Sequence, residues 1–96
     1  MERRRYLVTY DVADDKRRNR VFKTLRDNGE HVQFSVFMCE LNPRELIAMK
    51  SALTGIVHHK EDQVMLVDLG LAEKEETLPI ESIGRAFAPP DRVVVV

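Results

Sequence analysis

The stretch that decides the fold is Tyr6-Leu7-Val8-Thr9-Tyr10-Asp11. It predicts a β-strand from Arg3 to Tyr10 with apolar side chains on both faces, and the acid Asp11 stands where that strand ends. A helix start follows at Asp14-Asp15, and the first turns carry four cations, which are Lys16, Arg17, Arg18 and Arg20. An acid at the exit of a strand, facing a helix rich in cations, is what a hard metal ion beside a phosphate backbone requires.

The elements that follow can be placed from their boundary signals. The first helix spans residues 14–28, and Asn28-Gly29 is the usual signal for its end. The region Glu30–Leu41 is too long for one ordinary strand, so we expect two strands that turn or bulge near Phe34-Ser35. The motif Asn42-Pro43-Arg44-Glu45 then opens a second helix, with a capping asparagine, a proline in the first helical position and a glutamate that completes a capping box.

The last segments complete the prediction of the fold class. Gln63–Leu69 predicts another strand, ended by Gly70, and Val93–Val96 offers extra strand material at the C-terminus. The order β-α-β-β-α-β predicts a single α+β domain over residues 1–96, in which an antiparallel, ferredoxin-like sheet carries two helices on one face. The first and fourth strands are apolar on both sides, so the second face requires a cover. A second copy across a two-fold axis is the simplest cover, and we expect a homodimer.

Charge and composition bound the class of partner and the compartment. Residues 1–30 hold nine Lys/Arg against six Asp/Glu, whereas residues 31–96 hold six against ten. A basic N-terminal third indicates a localised anionic partner such as a nucleic acid, and a solvated helix face is the alternative. Cys39 is the only cysteine, and no apolar run approaches the ~18 residues of a membrane span. We therefore expect a cytoplasmic protein without a membrane segment.

The basic residues of the first helix fall into two groups. Arg18 lies on the apolar stripe that faces the sheet, where a guanidinium needs a carboxylate or a phosphate. Asp11 is the nearest acid in sequence, and a pair that merely fixes the loop is the alternative to a functional one. Arg17 and Arg20 lie beside the stripe, where they are better placed for solvent and phosphate contacts. All three arginines are predicted to bind nucleic acid.

One carboxylate per chain does not make a metal site. A two-fold axis near the end of the first strand would bring Asp11 of both subunits together, and two carboxylates with waters hold Mg²⁺. Asp68 also ends a strand, but an antiparallel partner places it at the opposite end of the sheet. The pair His58-His59 is interpreted as part of a polar loop. Phe34 and Phe37 are interpreted as core residues, although phenylalanine side chains also stack on bases.

Together these motifs carry a family resemblance. Tyr10-Asp11-Val12, the helix start at 14–18 and Gln33-Phe34-Ser35-Val36-Phe37 resemble CRISPR-associated protein 2, as do Asp62 before a strand and Ile80-Glu81-Ser82-Ile83-Gly84. The resemblance implies that Asp11 is the metal ligand and catalytic acid, with Tyr10, Arg17, Arg18, Ser35 and Phe37 in the motif around it. It also implies that residues 78–96 form an extension whose strand crosses onto the partner subunit. Many relatives carry Glu where this chain has Met38.

The resemblance further implies a role in prokaryotic antiviral defence. The first hypothesis is a Mg²⁺-dependent endonuclease of RNA or DNA that acts as a homodimer, with the CRISPR integrase, CRISPR-associated protein 1, during the capture of new spacers. The second is a non-catalytic adaptor that binds nucleic acid and spaces integrase units along a duplex. A ferredoxin-like sensor of small molecules is a third, disfavoured by the basic first helix.

Overall fold

The computed structural model describes residues 2–72 and 80–87, and this part contains one antiparallel sheet and two helices. The strands and helices along the chain are β1 (Arg4–Asp11), α1 (Asp15–Asn28), β2 (Gly29–Gln33), β3 (Val36–Leu41), α2 (Pro43–Ile56) and β4 (Gln63–Leu71). The strand order in the sheet is β2-β3-β1-β4. The ferredoxin-like prediction is confirmed, and so is the turn at Phe34-Ser35.

Both helices begin where local capping chemistry places them. The Asp14 side chain accepts a hydrogen bond from the backbone N–H of Arg17 at 2.9 Å and caps α1. Asn42 and Glu45 exchange side-chain and backbone hydrogen bonds, both at 2.9 Å, and Pro43 occupies the first turn of α2. Because the first backbone N–H groups of a helix have no partner within it, these caps stabilise each start by about 1 kcal/mol.

The core lies between the helices and one face of the sheet. Val8 of β1 stands opposite Phe37 of β3 and Leu66 of β4, so three strands contribute neighbouring apolar groups. The largest side chains that are fully buried come from both layers and are Phe37, Leu25, Met49, Val8, Val21 and Cys39. Neither helix of the described ranges is long and apolar enough to cross a membrane.

The second face of the sheet is apolar where it was expected to be. Leu7 stands between Met38 and Val67, and Thr9 stands between Val36 and Met65. The edge strand β4 exposes four large apolar side chains, which are Met65, Val67, Leu69 and Leu71 at 51, 47, 45 and 51%. Met65 and Val67 lie on the second face beside Thr9 and Leu7, whereas a register shift puts Leu71 opposite Arg4, on the other face. Isolated exposed apolar groups are ordinary, but neighbouring ones on an edge strand are less so. The homodimer expected on this ground stays a prediction.

The glycines at two element boundaries act differently from the prediction. Gly29 has φ −170°, an extended conformation open to any residue, and it already begins β2. It is glycine because a Cβ there would run into the carbonyl oxygen of Met38 and the sulfur of Cys39. Gly70 has φ +98° and lies within β4, which continues to Leu71 rather than ending there.

The C-terminal segment is only partly described. Residues 80–87 form neither helix nor strand and lie beside Val32 and Gln33 of β2. The strand that the resemblance implies at Ile80–Gly84 would pair with a partner subunit's sheet, and it stays a prediction. The strand material expected at Val93–Val96 and much of the 78–96 extension lie outside the described residues.

Candidate active site

Asp11 is the last residue of β1 and stands opposite Gln63, the first residue of β4. It is exposed, and its carboxylate forms no hydrogen bond or ion pair with any residue of 2–72 or 80–87. The turn between β2 and β3 lies directly alongside, because the N–H of Tyr10 donates to the carbonyl of Ser35 at 3.0 Å. The acid therefore lies at one end of the sheet, where the last residue of β1, the turn between β2 and β3 and the start of α1 meet.

The other acids that follow Asp11 along the chain are already engaged. Asp14 caps α1, and the N–H of Arg17 lowers the pKa of that carboxyl. Asp15 accepts both terminal nitrogens of Arg18, at 2.7 and 2.8 Å. Asp62 is bound to Arg17 at 2.7 Å. Among these four acids, Asp11 is the one whose carboxylate has no partner within residues 2–72 and 80–87.

Asp62 ties together the loops on either side of Asp11. Its side chain is fully buried, and its two oxygens accept from the backbone N–H groups of Ala13 at 3.0 Å and His58 at 2.8 Å. Arg17 donates to the same carboxylate through Nε and a terminal nitrogen. The pKa of Asp62 is held far below its usual range, first by the Arg17 hydrogen bond and then by the two backbone donors. This acid fixes the loop that follows Asp11.

The sequence suggested no role for Asp62 beyond its place in the family motif. Its partners Ala13 and Arg17 lie 49 and 45 positions away along the chain. The one local signal is that Asp62 directly precedes a strand, a position where acidic side chains commonly accept hydrogen bonds from loop N–H groups. That signal indicates a loop-fixing residue but not which loop it fixes.

The predicted orientations of Arg17 and Arg18 are wrong. Arg17 lies on the inward row, one turn before the buried Val21 and two before Leu25, and its side chain is 25% exposed. Arg18 points outward at 46% exposure and binds Asp15 and the Val12 carbonyl rather than Asp11. The prediction centred the inward face of α1 between Val21 and Phe22, whereas the structure centres it on Val21 and Leu25. That difference corresponds to an error of one residue in the helical repeat.

Arg20 is the arginine of the three that remains unpaired within the described part of the chain. It is exposed, and no acid of residues 2–72 or 80–87 contacts its guanidinium. Arg18 keeps exposed donors on the same helix, whereas Arg17 is bound by Asp62 and Glu61 and is only 25% exposed. Of the three arginines, Arg18 and Arg20 therefore belong to the outward cationic surface of α1, together with the exposed Lys16, Lys23 and Arg26, and Arg17 does not.

The three residues of the supporting motif shape the sheet end. Tyr10 is buried and its hydroxyl donates to the Phe34 carbonyl at 3.3 Å, and burial raises its pKa while Arg18 opposes the rise. Phe37 is fully buried and stacks on His31 with ring centroids 4.8 Å apart. Ser35 contributes its backbone carbonyl to Tyr10. Their positions support the turn beside Asp11 rather than contact a ligand.

Other reactive groups are excluded from the site. Cys39 is buried, and burial raises the pKa of its thiol to about 11, so it is a poor nucleophile. The His58 ring accepts from the N–H groups of Lys60 and Glu61 and completes a tight polar loop, as expected. Within the described ranges no three His, Cys, Asp or Glu side chains of one chain cluster as a metal site would require.

Comparison with known proteins identifies what this arrangement resembles. A family model described as CRISPR associated protein Cas2 matches residues 4–77. A protein of Rhodospirillum rubrum named CRISPR-associated endoribonuclease Cas2 1 is 43% identical over 91 residues, which cover 95% of this chain and 88% of that one. One of Geobacter sulfurreducens named CRISPR-associated endoribonuclease Cas2 is 41% identical, with 95% of each chain covered.

Solved structures agree with these relatives. The crystal structure of Streptococcus pyogenes Cas2 at pH 6.5 superimposes with a TM-score of 0.69 and 35% identity, over 83% of this chain and 99% of that one. A Thermus thermophilus protein described as hypothetical gives a TM-score of 0.71 at 29% identity, over 90% of this chain and 99% of the other.

Proposed function

The chain belongs to the CRISPR-associated protein Cas2 family, and from that premise we propose that it is an endonuclease whose catalytic acid is Asp11. The observation that carries the proposal is that the Asp11 carboxylate has no hydrogen-bond or ion-pair partner within the described residues, unlike three acids that follow it in the chain. Asp14, Asp15 and Asp62 are each bound within the fold, and Asp11 alone among them faces outward without a partner. The relatives named endoribonucleases support RNA as a substrate.

The donor set suits a hard cation. Asp11 offers exposed carboxylate oxygen, the ligand type of Mg²⁺, which also retains several waters. One carboxylate per chain fits a site completed by waters and by Asp11 of a second copy. When bound, Mg²⁺ supplies charge stabilisation at the scissile phosphate and a more acidic water. Asp11 would hold the cation, while the clamp of Arg17 and Asp62 keeps the loop after Asp11 in place.

The homodimer that such a site requires is supported by the second face of the sheet. Met65 and Val67 of β4 are about half exposed, at 51 and 47%, beside the inner strand β1. Covering Met65 and Val67 removes their apolar area from water at about 25 cal/mol per Å². A second copy on this face would cover both side chains and bring strand ends together.

Nucleic-acid binding is assigned to the exposed cations of α1. Arg18 and Arg20 present donors to solvent, and phosphate contacts through such residues give affinity without sequence preference. Arg17 is removed from this surface because Asp62 binds it.

Family membership also supports a place in adaptive immunity within the cytoplasm. The chain would act with the CRISPR integrase when new spacers are captured. In the adaptor alternative the same dimer only spaces integrase units. One acid per chain favours this alternative as readily as a weak nuclease, so the experiment must separate the two.

The experiment replaces Asp11 by Asn and compares it with Asp27→Asn, an exposed acid near the far end of α1. Single-stranded RNA, single-stranded DNA and duplex DNA are incubated with Mg²⁺ or with EDTA, and light scattering reports the mass of the assembly. We expect Asp11→Asn to abolish Mg²⁺-dependent cleavage with the dimer intact, and Asp27→Asn to behave as the parent. Undiminished cleavage by Asp11→Asn contradicts the proposal. The integrase is then added and light scattering is repeated; absence of cleavage in the parent, with integrase assembly intact in both variants, favours the adaptor.

A further inference from the structure

Phe34 is exposed to an extent that the other described phenylalanines are not. Its exposed fraction is 94%, whereas Phe37 is fully buried and Phe22 packs against it with ring centroids 5.4 Å apart. The sequence interpretation placed Phe34 in the core together with Phe37, and the structure separates them by a turn. A single exposed apolar residue is ordinary, so its surroundings decide whether it has a role.

The backbone beneath Phe34 is held unusually firmly for a two-residue turn. The Phe34 carbonyl accepts the hydroxyl of Tyr10 at 3.3 Å and Nε2 of His31 at 2.9 Å. The neighbouring Ser35 carbonyl accepts the Tyr10 N–H at 3.0 Å. An aromatic side chain has only two rotatable bonds, so a ring on a fixed turn offers a contact surface at low entropic cost.

The turn lies next to Arg18, whose charge attracts phosphate, and next to Asp11, the proposed Mg²⁺ ligand. Tyr10, which binds the turn, directly precedes Asp11. Arg18 lies close enough to the Tyr10 hydroxyl to affect its titration, and its own guanidinium is anchored on the Val12 carbonyl at 3.3 Å. An exposed ring, a cation and a free carboxylate therefore occupy one end of the sheet. A nucleotide presents a flat base and an anionic phosphate in the same way.

We propose that Phe34 is a base-stacking residue, which holds an unpaired nucleobase while the adjoining phosphate lies towards Arg18. The inference rests on the proposed nuclease function and narrows its substrate. A base within a duplex has both faces covered by its neighbours, so Phe34 selects strands with unpaired bases. Because every base has a π-face, the contact carries little sequence preference.

The chain contains no tryptophan, so Phe34→Trp places a single reporter at this position. The variant is titrated without Mg²⁺ with a single-stranded oligodeoxyadenylate and with an abasic strand of equal length, while anisotropy of a label on the strand reports binding. Ile47→Trp, at another exposed apolar position on α2, is the matched control. We expect strong quenching of the Phe34→Trp emission by the base-containing strand, little by the abasic strand at equal occupancy, and none in the control.

Affinity gives the second measurement. Phe34→Ala should weaken binding of the base-containing strand at least about fivefold and leave the abasic strand unaffected, and Phe34→Tyr should restore binding. Equal quenching by both strands would show that charge alone binds them, and would overturn the proposal. Emission that is already shifted to the blue and responds only to dilution would show that a second copy covers the ring, and would also overturn it.

The stacking assay and the cleavage assay fail independently. Quenching is measured without Mg²⁺ and can be repeated in an Asp11→Asn background, where we expect it to be retained. A chain that quenches but does not cleave keeps the Phe34 site and loses the nuclease proposal. A chain that cleaves while Phe34→Ala binds like the parent keeps the nuclease proposal and loses the Phe34 site.

Discussion

Replacing Gly29 by Ala tests how closely β2 and β3 approach. A Cβ at Gly29 would overlap the Met38 carbonyl oxygen and the sulfur of Cys39, and the Gly29–Cys39 pair opens the ladder between the two strands. The carbonyl is backbone and the sulfur is buried, so neither can move without disturbing the sheet. Overpacking of this kind costs about 1–3 kcal/mol, and a ladder hydrogen bond lost in the adjustment costs about 1 kcal/mol more.

The opposing effect is small. Alanine restricts the unfolded chain more than glycine does, which stabilises the folded state by about 0.4–1 kcal/mol. The net destabilisation of Gly29→Ala is therefore about 1–3.6 kcal/mol, and a domain of this size should melt roughly 4–29 °C lower. Circular dichroism at matched chain concentrations measures the shift.

The same substitution at Gly55 is the control. Gly55 lies in α2, and a Cβ there meets nothing within 4 Å. Gly55→Ala should therefore raise the melting temperature slightly, because alanine favours helix by up to about 1 kcal/mol and the site is near the helix end. Equal shifts in the two variants, or a stabilised Gly29→Ala, would refute the close approach described for β2 and β3.

Three further outcomes are expected. Arg17 holds the pKa of Asp62 below its ordinary value, so the ionised acid stabilises the fold above about pH 4, and this stability is lost as pH falls towards the lowered pKa. In Asp62→Asn the melting temperature should therefore fall less between about pH 6 and pH 3 than it does in the parent. Arg20→Ala should reduce the salt slope of nucleic-acid binding by about one ion with no loss of stability, whereas Arg17→Ala should lower the melting temperature. The Cys39 thiol should resist alkylation in the folded protein and react after unfolding in urea, and rapid labelling of the native state would contradict its burial.

The sequence predicts those features whose cause is local. Asn42 and Glu45 lie three positions apart, so the start of α2 follows from their spacing alone. The position of Asp11 at the end of β1 follows equally from the strand pattern. The predicted orientations of Arg17 and Arg18 are interchanged, because packing against the sheet decides which side of a helix faces inward. Consecutive residues of a helix point about 100° apart, so an error of one position is enough.

Features that depend on distant contacts could not be predicted. The role of Asp62 requires that the loop before β4 meets the loop after β1, which only the folded sheet brings about. Phe34 and Phe37 share a residue type and a strand-like setting, and the placement of a two-residue turn between them decides which one is buried.

The saturation of Asp62 has a consequence for the response to cations in solution. Both of its oxygens already accept donors from Ala13, His58 and Arg17, so a dissolved cation would have to displace those donors before it gained a ligand. The fold thereby hides Asp62 from divalent ions while it leaves Asp11, at the end of the neighbouring strand β1, open to them. Increasing Mg²⁺ should therefore reach exposed carboxylates such as Asp11 and leave Asp62 unoccupied.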